Sequence, residues 1–499
     1  MSIERLLWEN DATALGDLVN RGEVSPAELV EAAIARTERV NPAINAIAEK
    51  TYDRARRRAQ DVDRSLPFAG VPFFIKDLDV AQAGVPIHAG SRALAFFPDL
   101  DSVLVERYLA AGLVPIATST CPEYGIRLVT ESKRFGATRN PWNTDHTTGG
   151  SSGGAAALVA AGAAPLAHAS DGGGSIRVPA ACCGLVGMKV SRGRVPLTPL
   201  VSEAWYGFVT LHAVARSVRD SARLLDLTHG ADTQSPYQAP GPRKGSFAEA
   251  AARDPGRLRI GVWRGSPLGL AISADALTAL DKAASLAREA GHEVEEIDLP
   301  MADRAFLADF ARCVAAALAG QLRLEARRTG APVLPLVERA TRVMARYGEM
   351  ISGGQVYAAL QRLQETSRAI LTATAPYEAV LMPVIAHEPL PVGGMDARGR
   401  DEFVEIALDR LRLTRLLALD RFFEELMDKS LWFTHWPAIQ NVTGQPAIAL
   451  PVHVTEKGLP LGVQAVGRPG DEETLYSLAA QMESLSGWLK RRAPLDQPA

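Results

Sequence analysis

Ser175, in the segment DGGGSIR, has the surroundings that a nucleophilic serine requires. Such a serine needs a base that takes its proton and hydrogen-bond donors for the negative charge that develops on the attacked carbonyl oxygen. The three glycines before it, at 172–174, leave backbone amides that a substrate oxygen could approach closely. The segment is therefore a candidate for acyl transfer, although a turn with a capping serine has the same pattern.

Lys76, within FFIKDLDV, is the candidate base. Burial among apolar residues disfavours the charged ammonium and lowers a lysine pKa, and a neutral amine can accept a proton. The alternative is a lysine paired with Asp77 or Asp79 at the end of a strand. His168 is a weaker candidate, because it lies seven residues before Ser175 on a predicted strand that carries it away from the serine.

The elements that must position these residues alternate between strands and helices. FAGVPFFIKDLDV is predicted as a buried strand that holds Lys76, and APLAHASD as a strand of small residues ahead of the glycine cluster. TTGGSSGGAAALVAAG is a glycine- and serine-rich loop that continues into a helix, and Ser25 with Glu28 predicts a capping box at the start of another. Such alternation predicts an α/β fold with a mixed sheet covered by helices on both faces.

The composition excludes several classes of partner. A formal net charge of −3 offers no basic surplus for nucleic acid. No apolar run reaches about 18 residues without a charge or a glycine, so no membrane span is predicted. The four cysteines show neither zinc-ligand spacing nor a disulfide framework, so we expect no metal, no other cofactor and a reduced, cytoplasmic location. No long linker divides the chain, which predicts a single domain over residues 1–499.

Three spaced segments together resemble the amidase signature family. They are GVPFFIKD with Lys76, GGSSGGAAA with Ser151 and DGGGSIRVPAACCG with Ser175. Their separations of 75 residues (151 − 76) and 24 residues (175 − 151) agree with the family pattern. ATRNPWN, GLVGMKVSRGRVP and NVTGQPAIALPV are also similar to family segments, so the resemblance extends over residues 5–485 and is densest at 65–230.

The resemblance implies an amidase-signature fold and a Ser-Ser-Lys triad that cleaves a C–N bond. Ser175 would attack the carbonyl and form an acyl-enzyme, and Ser151 would carry its proton to neutral Lys76. The bridging serine would follow a cis peptide bond. The backbone amides that would form the oxyanion hole are those of Gly172, Gly173, Gly174 and Ser175. The residues that would support this loop are Ser152, Asp171 and Arg177, and Arg177 would also help to keep Lys76 neutral.

One position departs from the family pattern. The family usually has the sequence D-T-G-G-S up to the nucleophile, whereas this chain has Gly172 in place of the threonine. Because glycine leaves more space, we expect either a looser oxyanion hole or a wider pocket beside it.

The substrate is predicted from a narrower resemblance, to the nylon-oligomer hydrolase branch of the family. LWENDATAL, ATRNPWN and AFLADFARCVAAAL carry this resemblance, which implies a small neutral amide, linear or cyclic. Carbamates, aryl amides and esters are alternatives for the same site. A more variable helical region at 300–435 would surround the pocket. The residues predicted to line the pocket are Ile126, Cys313, Trp432 and Trp436, although for Cys313 a structural position within a helix is the alternative.

Two other functions share this sequence pattern. An amidase subunit of a glutamyl-tRNA amidotransferase would need partner subunits and a glutamine pocket, and the helix and acidic site expected for it are not evident at 340–370. A catalytically inactive binding protein on the same fold would be expected to lose Lys76, Ser151 and Ser175, which are intact. The expected partner is therefore a small-molecule amide, and a homodimer remains open.

Overall fold

The computed structural model describes residues 2–230, 232–410 and 420–497, and within these ranges helices alternate with strands as predicted. The strands are β1 (Ile47–Lys50), β2 (Pro72–Lys76), β3 (Val114–Ser119), β4 (Glu131–Ser132), β5 (Gly136–Ala137), β6 (Arg139–Asn140), β7 (Asn143–Thr147), β8 (Leu166–Asp171), β9 (Val186–Lys189), β10 (Thr210–Ala215), β11 (Arg259–Trp263), β12 (Glu293–Ile297), β13 (Ala379–Pro383), β14 (Ala447–Val454) and β15 (Pro460–Gly467). The helices are α1 (Ile3–Glu9), α2 (Ala12–Asn20), α3 (Pro26–Ile44), α4 (Tyr52–Asp61), α5 (Val103–Ala110), α6 (Gly153–Ala160), α7 (Arg177–Cys183), α8 (Val218–Thr228), α9 (Phe247–Ala251), α10 (Ala274–Glu289), α11 (Arg304–Thr329), α12 (Arg339–Met350), α13 (Gly353–Thr374), α14 (Arg400–Arg410), α15 (Asp420–Leu431), α16 (Pro437–Thr443) and α17 (Glu472–Ser486). The capping box predicted at the start of α3 is confirmed, since Ser25 and Glu28 each accept a hydrogen bond from the other's backbone amide.

Eight strands of the described residues form one mixed sheet, in the order β12-β11-β13-β15-β14-β9-β10-β8. β11 is parallel to both β12 and β13, and the other neighbouring pairs are antiparallel. β8 and β10 are buried along their whole length, so the strand that ends at Asp171 runs through the interior of the protein. The predicted α/β class with a mixed sheet is confirmed.

Lys76 lies on a second sheet, which has the order β1-β3-β2. β2 is parallel to β3, with Lys76 opposite Ser119, and all of β2 is buried. β2 lies beside β8 of the large sheet, where the amide of Lys76 donates to Nδ1 of His168 at 3.3 Å. β2 and β8 therefore belong to separate sheets, because the Lys76 amide donates to the side chain of His168 and not to a backbone carbonyl of β8.

Helices cover both faces of the large sheet. On one side of β15, Ala181 of α7 lies 3.0 Å from the Cβ position of Gly462. On β15 as well, Leu475 of α17 lies 3.0 Å from the Cβ position of Gly467. Successive side chains of a strand alternate between faces, and these two glycines are an odd number of positions apart, so α7 and α17 lie on opposite faces.

The region at 300–435 contains α11 to α15, apart from residues 411–419, which lie outside the described residues. α11 packs against α12 and α13 around a second apolar cluster, which includes Phe306, Phe310, Cys313 and Trp436. Of the helices in the described ranges, α11 is the one long and apolar enough to cross a membrane, but 61% of its apolar window is buried inside the protein. Such burial is typical of a core helix.

Candidate active site

Lys76 is surrounded by hydroxyl groups rather than by carboxylates. The residue is only 1% exposed, and Nζ lies 2.7 Å from Oγ of Ser151 and 2.8 Å from Oγ of Ser170. Asp77 is engaged elsewhere, since its carboxylate accepts from the amide of His88 at 2.8 Å. Lys76 forms no salt bridge within the described ranges of the chain, so the alternative of a lysine paired with a carboxylate at the end of the strand is wrong.

The environment of Lys76 favours the neutral amine. Burial lowers the pKa of Lys76, and the nearby Asp79, Cys121 and Asp171 oppose this shift only in part. His168 does not take the role of a base, because Nδ1 accepts the hydrogen bond from the Lys76 amide and burial lowers the pKa of the imidazole to about 3. The lysine is thus the group near the serines that is suited to accept a proton.

Ser151 lies in the glycine-rich loop directly before α6. The peptide bond between Gly150 and Ser151 is cis, as the resemblance implied. The loop packs tightly, since the Cβ position of Gly154 lies 2.5 Å from the backbone nitrogen of Thr120. A larger residue at this position would collide with backbone, so glycine allows the loop to bring Ser151 to Lys76.

Ser175 lies in the turn between β8 and α7 and is 5% exposed. The amide of Ser152 donates to the carbonyl oxygen of Ser175 at 3.2 Å, which joins the loop of Ser151 to the loop of the candidate nucleophile. Within the described part of the chain, the Ser175 hydroxyl has no hydrogen-bond partner. Among the described residues it therefore forms no hydrogen bond to Ser151, and its oxygen is free to approach a substrate carbon.

The four amides predicted to form the oxyanion hole are not equivalent. The amide of Gly174 donates to Oδ1 of Asp171 at 2.7 Å, so it holds the loop and is not free for a substrate oxygen. The amides of Gly172, Gly173 and Ser175 have no acceptor among the described residues. These three are the candidates for oxyanion donors, and the prediction for Gly174 is corrected.

A buried ion pair between Asp171 and Arg177 fixes the turn that carries Ser175. Nε and Nη2 of Arg177 donate to the Asp171 carboxylate at 3.0 and 2.9 Å, and both side chains are inaccessible to solvent. Burial opposes ionisation, but the charge and hydrogen bonds of Arg177 hold the pKa of Asp171 well below its usual range. Asn441 donates to the same carboxylate at 2.9 Å. Asp171 and Arg177 thus support the loop, whereas the lowered pKa of Lys76 is due to burial rather than to Arg177.

Ser170 is a residue of the site that sequence reasoning missed. It places Oγ against Nζ of Lys76, and its backbone is held by Ser152. The Ser152 hydroxyl donates to the carbonyl of Ser170 at 3.2 Å and accepts from its amide at 3.3 Å, which agrees with the supporting role predicted for Ser152. The available signal was a serine within the buried strand LAHASD, directly before the glycine loop.

Two aromatic rings lie against the oxyanion loop. Atoms of the Trp205 indole lie 2.9 and 3.0 Å from the Cβ position of Gly172, and Cζ of Phe310 lies 3.1 Å from that of Gly173. The indole fills the space left by glycine in place of threonine, so the expected widening does not occur on this side. Sequence reasoning missed both rings because they are 33 (205 − 172) and 137 (310 − 173) residues away from the glycines that they touch.

Two of the predicted pocket residues lie on segments next to the triad or the oxyanion loop. Ile126 follows Gly125, whose Cβ position lies 3.3 Å from Oγ of Ser151. Cys313 is buried on α11 in the same apolar cluster as Phe310, and burial raises the pKa of its thiol to about 12. The protonated thiol is therefore an apolar neighbour rather than a nucleophile.

The two predicted pocket tryptophans have different surroundings. Trp436 is fully buried, and its indole N–H donates to the carbonyl of Gly265 at 2.8 Å. Trp432 is half-buried and packs against His387 with ring centroids 5.3 Å apart. Trp436 thus supports the start of α16. The aromatic rings in contact with the oxyanion loop are those of Trp205 and Phe310, rather than the two predicted tryptophans.

Comparison with known proteins identifies the family and the fold. The family model described as Amidase matches residues 28–476. The 6-aminohexanoate-cyclic-dimer hydrolase of Pseudomonas sp. (strain NK87) is 34% identical over 503 residues, which cover 99% of this chain and 98% of the relative. The solved structure of a 6-aminohexanoate cyclic dimer hydrolase complexed with substrate is 33% identical, with a TM-score of 0.88 over 98% of this chain and 100% of that one. A bacterial aryl acylamidase structure is 25% identical, with a TM-score of 0.84 over 99% and 100% of the two chains.

Proposed function

The chain belongs to the amidase signature family, and we propose that it hydrolyses small neutral amides with Ser175 as nucleophile, Ser151 as proton bridge and Lys76 as base. The observation that carries the proposal is the distance of 2.7 Å between Nζ of the buried lysine and Oγ of Ser151. A base must lie within hydrogen-bond reach of the proton that it accepts, and its pKa must allow the neutral form. Lys76 meets the first condition, and burial lowers its pKa in the direction that the second condition requires.

The first half of the reaction forms an acyl-enzyme. Oγ of Ser175 bonds to the carbonyl carbon while its proton passes to Ser151, whose own proton passes to Nζ of Lys76. The amides of Gly172, Gly173 and Ser175 stabilise the charge on the carbonyl oxygen, and each such donor contributes about 3–4 kcal/mol in the transition state. The C–N bond then breaks, and the proton returns through Ser151 to the leaving nitrogen.

The second half of the reaction hydrolyses the ester at Ser175. A water molecule attacks the acyl carbon, and the same relay takes the proton of the water toward Lys76. The bond between the acyl carbon and Oγ then breaks, and the proton returns to Oγ. The products are a carboxylic acid and an amine, and the enzyme returns to its starting state.

A neutral substrate is supported by the apolar surroundings of these residues. Trp205 and Phe310 border the oxyanion loop, and Ile126 follows the segment that touches Ser151. On α11, the carboxylate of Asp309 is already paired with Arg362 at 2.7 Å. The similarity to a 6-aminohexanoate-cyclic-dimer hydrolase supports a cyclic amide, and a linear amide is the other form that we propose. Carbamates (urethanes), aryl amides and esters are the alternatives, because acyl transfer to Ser175 serves them equally.

Location and assembly complete the proposal. We place the enzyme in the cytoplasm, because its four cysteines are free and buried rather than joined as disulfides. The proposed chemistry uses no cofactor and no nucleic acid. A measurement of the molecular mass in solution determines whether the chain forms a homodimer.

The test uses the purified lone chain and a fluorophosphonate probe, with the modified residue found by peptide mass spectrometry. We expect labelling at Ser175, its loss in Ser175→Ala and much slower labelling in Lys76→Ala. Ser202→Ala, which alters an exposed serine, is the matched control and should be labelled like the unchanged chain. The same preparations are then assayed on simple amides, carbamates and esters.

Two outcomes would contradict the proposal. Labelling at another serine would mean that the triad is wrong. No labelling of the lone chain would favour an amidotransferase subunit that needs its partners, or a catalytically inactive binding protein.

A further inference from the structure

Trp205 closes the site over the first oxyanion glycine. Its indole lies within 3.0 Å of the Cβ position of Gly172, and Val209 follows at 3.1 Å. The backbone of Gly172 does not lie in the left-handed region, so its conformation would tolerate a side chain. Glycine at this position is therefore required by the close approach of the indole and not by the backbone.

The turn that carries Trp205 is held in place from two sides. The backbone φ angles of Trp205 and Tyr206 are 49° and 59°, in a region that non-glycine residues adopt only when their surroundings impose it. Nε of Arg192 donates to the carbonyl of Gly207 at 2.7 Å. Nδ2 of Asn441 lies 3.0 Å from the carbonyl oxygen of Phe208. These contacts hold the backbone of the turn that carries the indole.

The contact of Asn441 joins this turn to the catalytic loop. The same Nδ2 lies 2.9 Å from the carbonyl oxygen of Asp171, which directly precedes Gly172. A substrate carbonyl that accepts from the amide of Gly172 must bring the carbon next to it close to this backbone. Trp205 is half-buried, so part of the indole stays accessible beside that position.

We infer that Trp205 is a specificity-determining residue, which restricts the substrates to amides whose acyl group is unbranched next to the carbonyl. The inference rests on the proposed function and narrows its substrate class. Because the indole lies against the Gly172 backbone, we expect a single methylene chain to pass beside it more easily than a carbon with two substituents. One misplaced methylene group in such a pocket changes kcat/KM by about 10-fold or more.

The first experiment compares two isomeric substrates, hexanoyl 4-nitroanilide and 2-ethylbutanoyl 4-nitroanilide, which differ only in branching. We expect the unchanged chain to prefer the linear isomer by about 10-fold or more in kcat/KM, and Trp205→Ala to reduce this ratio about 10-fold. Tyr357→Ala, which removes an aromatic ring that is 66% exposed on α13, is the matched control and should keep the ratio. An unchanged ratio in Trp205→Ala would overturn the inference.

The second experiment tests the contact itself by a double substitution. Gly172→Ala places a methyl group against the indole and should lower kcat/KM for the linear isomer about 10-fold. Gly172→Ala combined with Trp205→Ala should recover most of this loss, because the methyl group then occupies the vacated space. If the losses of kcat/KM in the two single variants multiply in the double variant, the two residues act independently, contrary to the inference.

Fluorophosphonate labelling of Ser175 in every variant tests the proposed function separately from the role of Trp205. Labelling with an unchanged isomer ratio would refute the role of Trp205 and leave the proposed function standing. Absence of labelling in the unchanged chain would refute the proposed function and the inference with it.

Discussion

At the scale of single residues, the proposed chemistry depends on whether the amine of Lys76 is protonated or neutral. Its surroundings are two hydroxyl groups and an apolar strand, with no paired carboxylate among the described residues. An ammonium in such a place is poorly solvated, which is why burial lowers the pKa. A lysine that would be an inert cation at the surface is therefore a candidate base here.

The pH dependence of activity follows from this shift. The amine of Lys76 is neutral above its lowered folded-state pKa and protonated below it. We therefore expect kcat/KM to fall as the pH falls through that pKa, by about 10-fold per pH unit at the acid end. A profile measured on a simple amide checks this. Lys76→Arg keeps the charge but cannot lose its proton, so it should be inactive at every pH; a profile that stays flat down to about pH 5 would exclude the lysine as base.

Ser170 is expected to position Lys76. Ser170→Ala removes one of the two hydroxyl groups at Nζ and should lower kcat about 10-fold with little change in KM, because the amine loses its alignment toward Ser151. Ser170→Thr keeps the hydroxyl and should recover most of kcat. The acid limb of the pH profile should move to lower pH in Ser170→Ala, since the remaining ammonium has one acceptor fewer. A change in KM alone, with an unmoved pH profile, would contradict this role.

At the scale of elements, the site is built where two loops meet the ends of β2 and β8. The loop before α6 brings Ser151, and the turn before α7 brings Ser175, which is held by Asp171 and Arg177. Both connections depend on close backbone contact, which the glycines permit. The helices α6 and α7 thus position residues at their N-terminal ends, and they pack too tightly to tolerate larger residues there.

The packing of α6 can be tested at Gly154. Gly154→Ala places a methyl group 2.5 Å from the backbone of Thr120, which cannot move aside, so it should lower the free energy of unfolding by about 1–3 kcal/mol and displace Ser151. Gly320→Ala is the matched control on α11, where an added Cβ meets nothing within 4 Å. It should raise the free energy of unfolding by about 0.5–1 kcal/mol. Urea unfolding of both variants checks this, and equal stabilities would contradict the assigned packing.

At the scale of the whole molecule, two sheets contribute different parts of one site. The sheet β1-β3-β2 carries the candidate base Lys76, and the eight-stranded sheet of the described residues carries the strand that leads to the candidate nucleophile Ser175. The second apolar cluster around α11 adds Phe310 to the oxyanion loop. We therefore expect activity to require that the two sheets and α11 pack together.

Insensitivity to chelators is a prediction for the whole molecule. Residues 2–230, 232–410 and 420–497 contain no group of three or more His, Cys, Asp or Glu side chains arranged to hold a metal ion. EDTA should therefore leave amide hydrolysis unchanged, as measured on the purified lone chain after dialysis. Loss of activity in EDTA that added zinc restores would contradict a metal-free site. Light scattering on the same preparation determines whether the active species is a monomer or a homodimer.

From the sequence alone, the class of fold and the candidate catalytic residues could be predicted. Lys76, Ser151 and Ser175 were candidates because their segments and spacing resemble the amidase signature family, and such segments are local or linear properties. The α/β class and the capping box of α3 follow from periodicity and from cap residues for the same reason. Burial of Lys76 could be predicted because the four residues before it in the strand, PFFI, are apolar.

Only the tertiary structure decided which residues complete the site. Ser170 contacts Lys76 across two different sheets, and Trp205 and Phe310 reach the oxyanion glycines from distant segments. It also showed that Gly174 holds the loop through Asp171 rather than facing the substrate. These contacts depend on how strands and helices pack across long separations, and the free energy of such packing is not written in any local pattern. The candidate catalytic residues can therefore be predicted from the sequence, whereas the residues around the oxyanion loop depend on how distant segments pack.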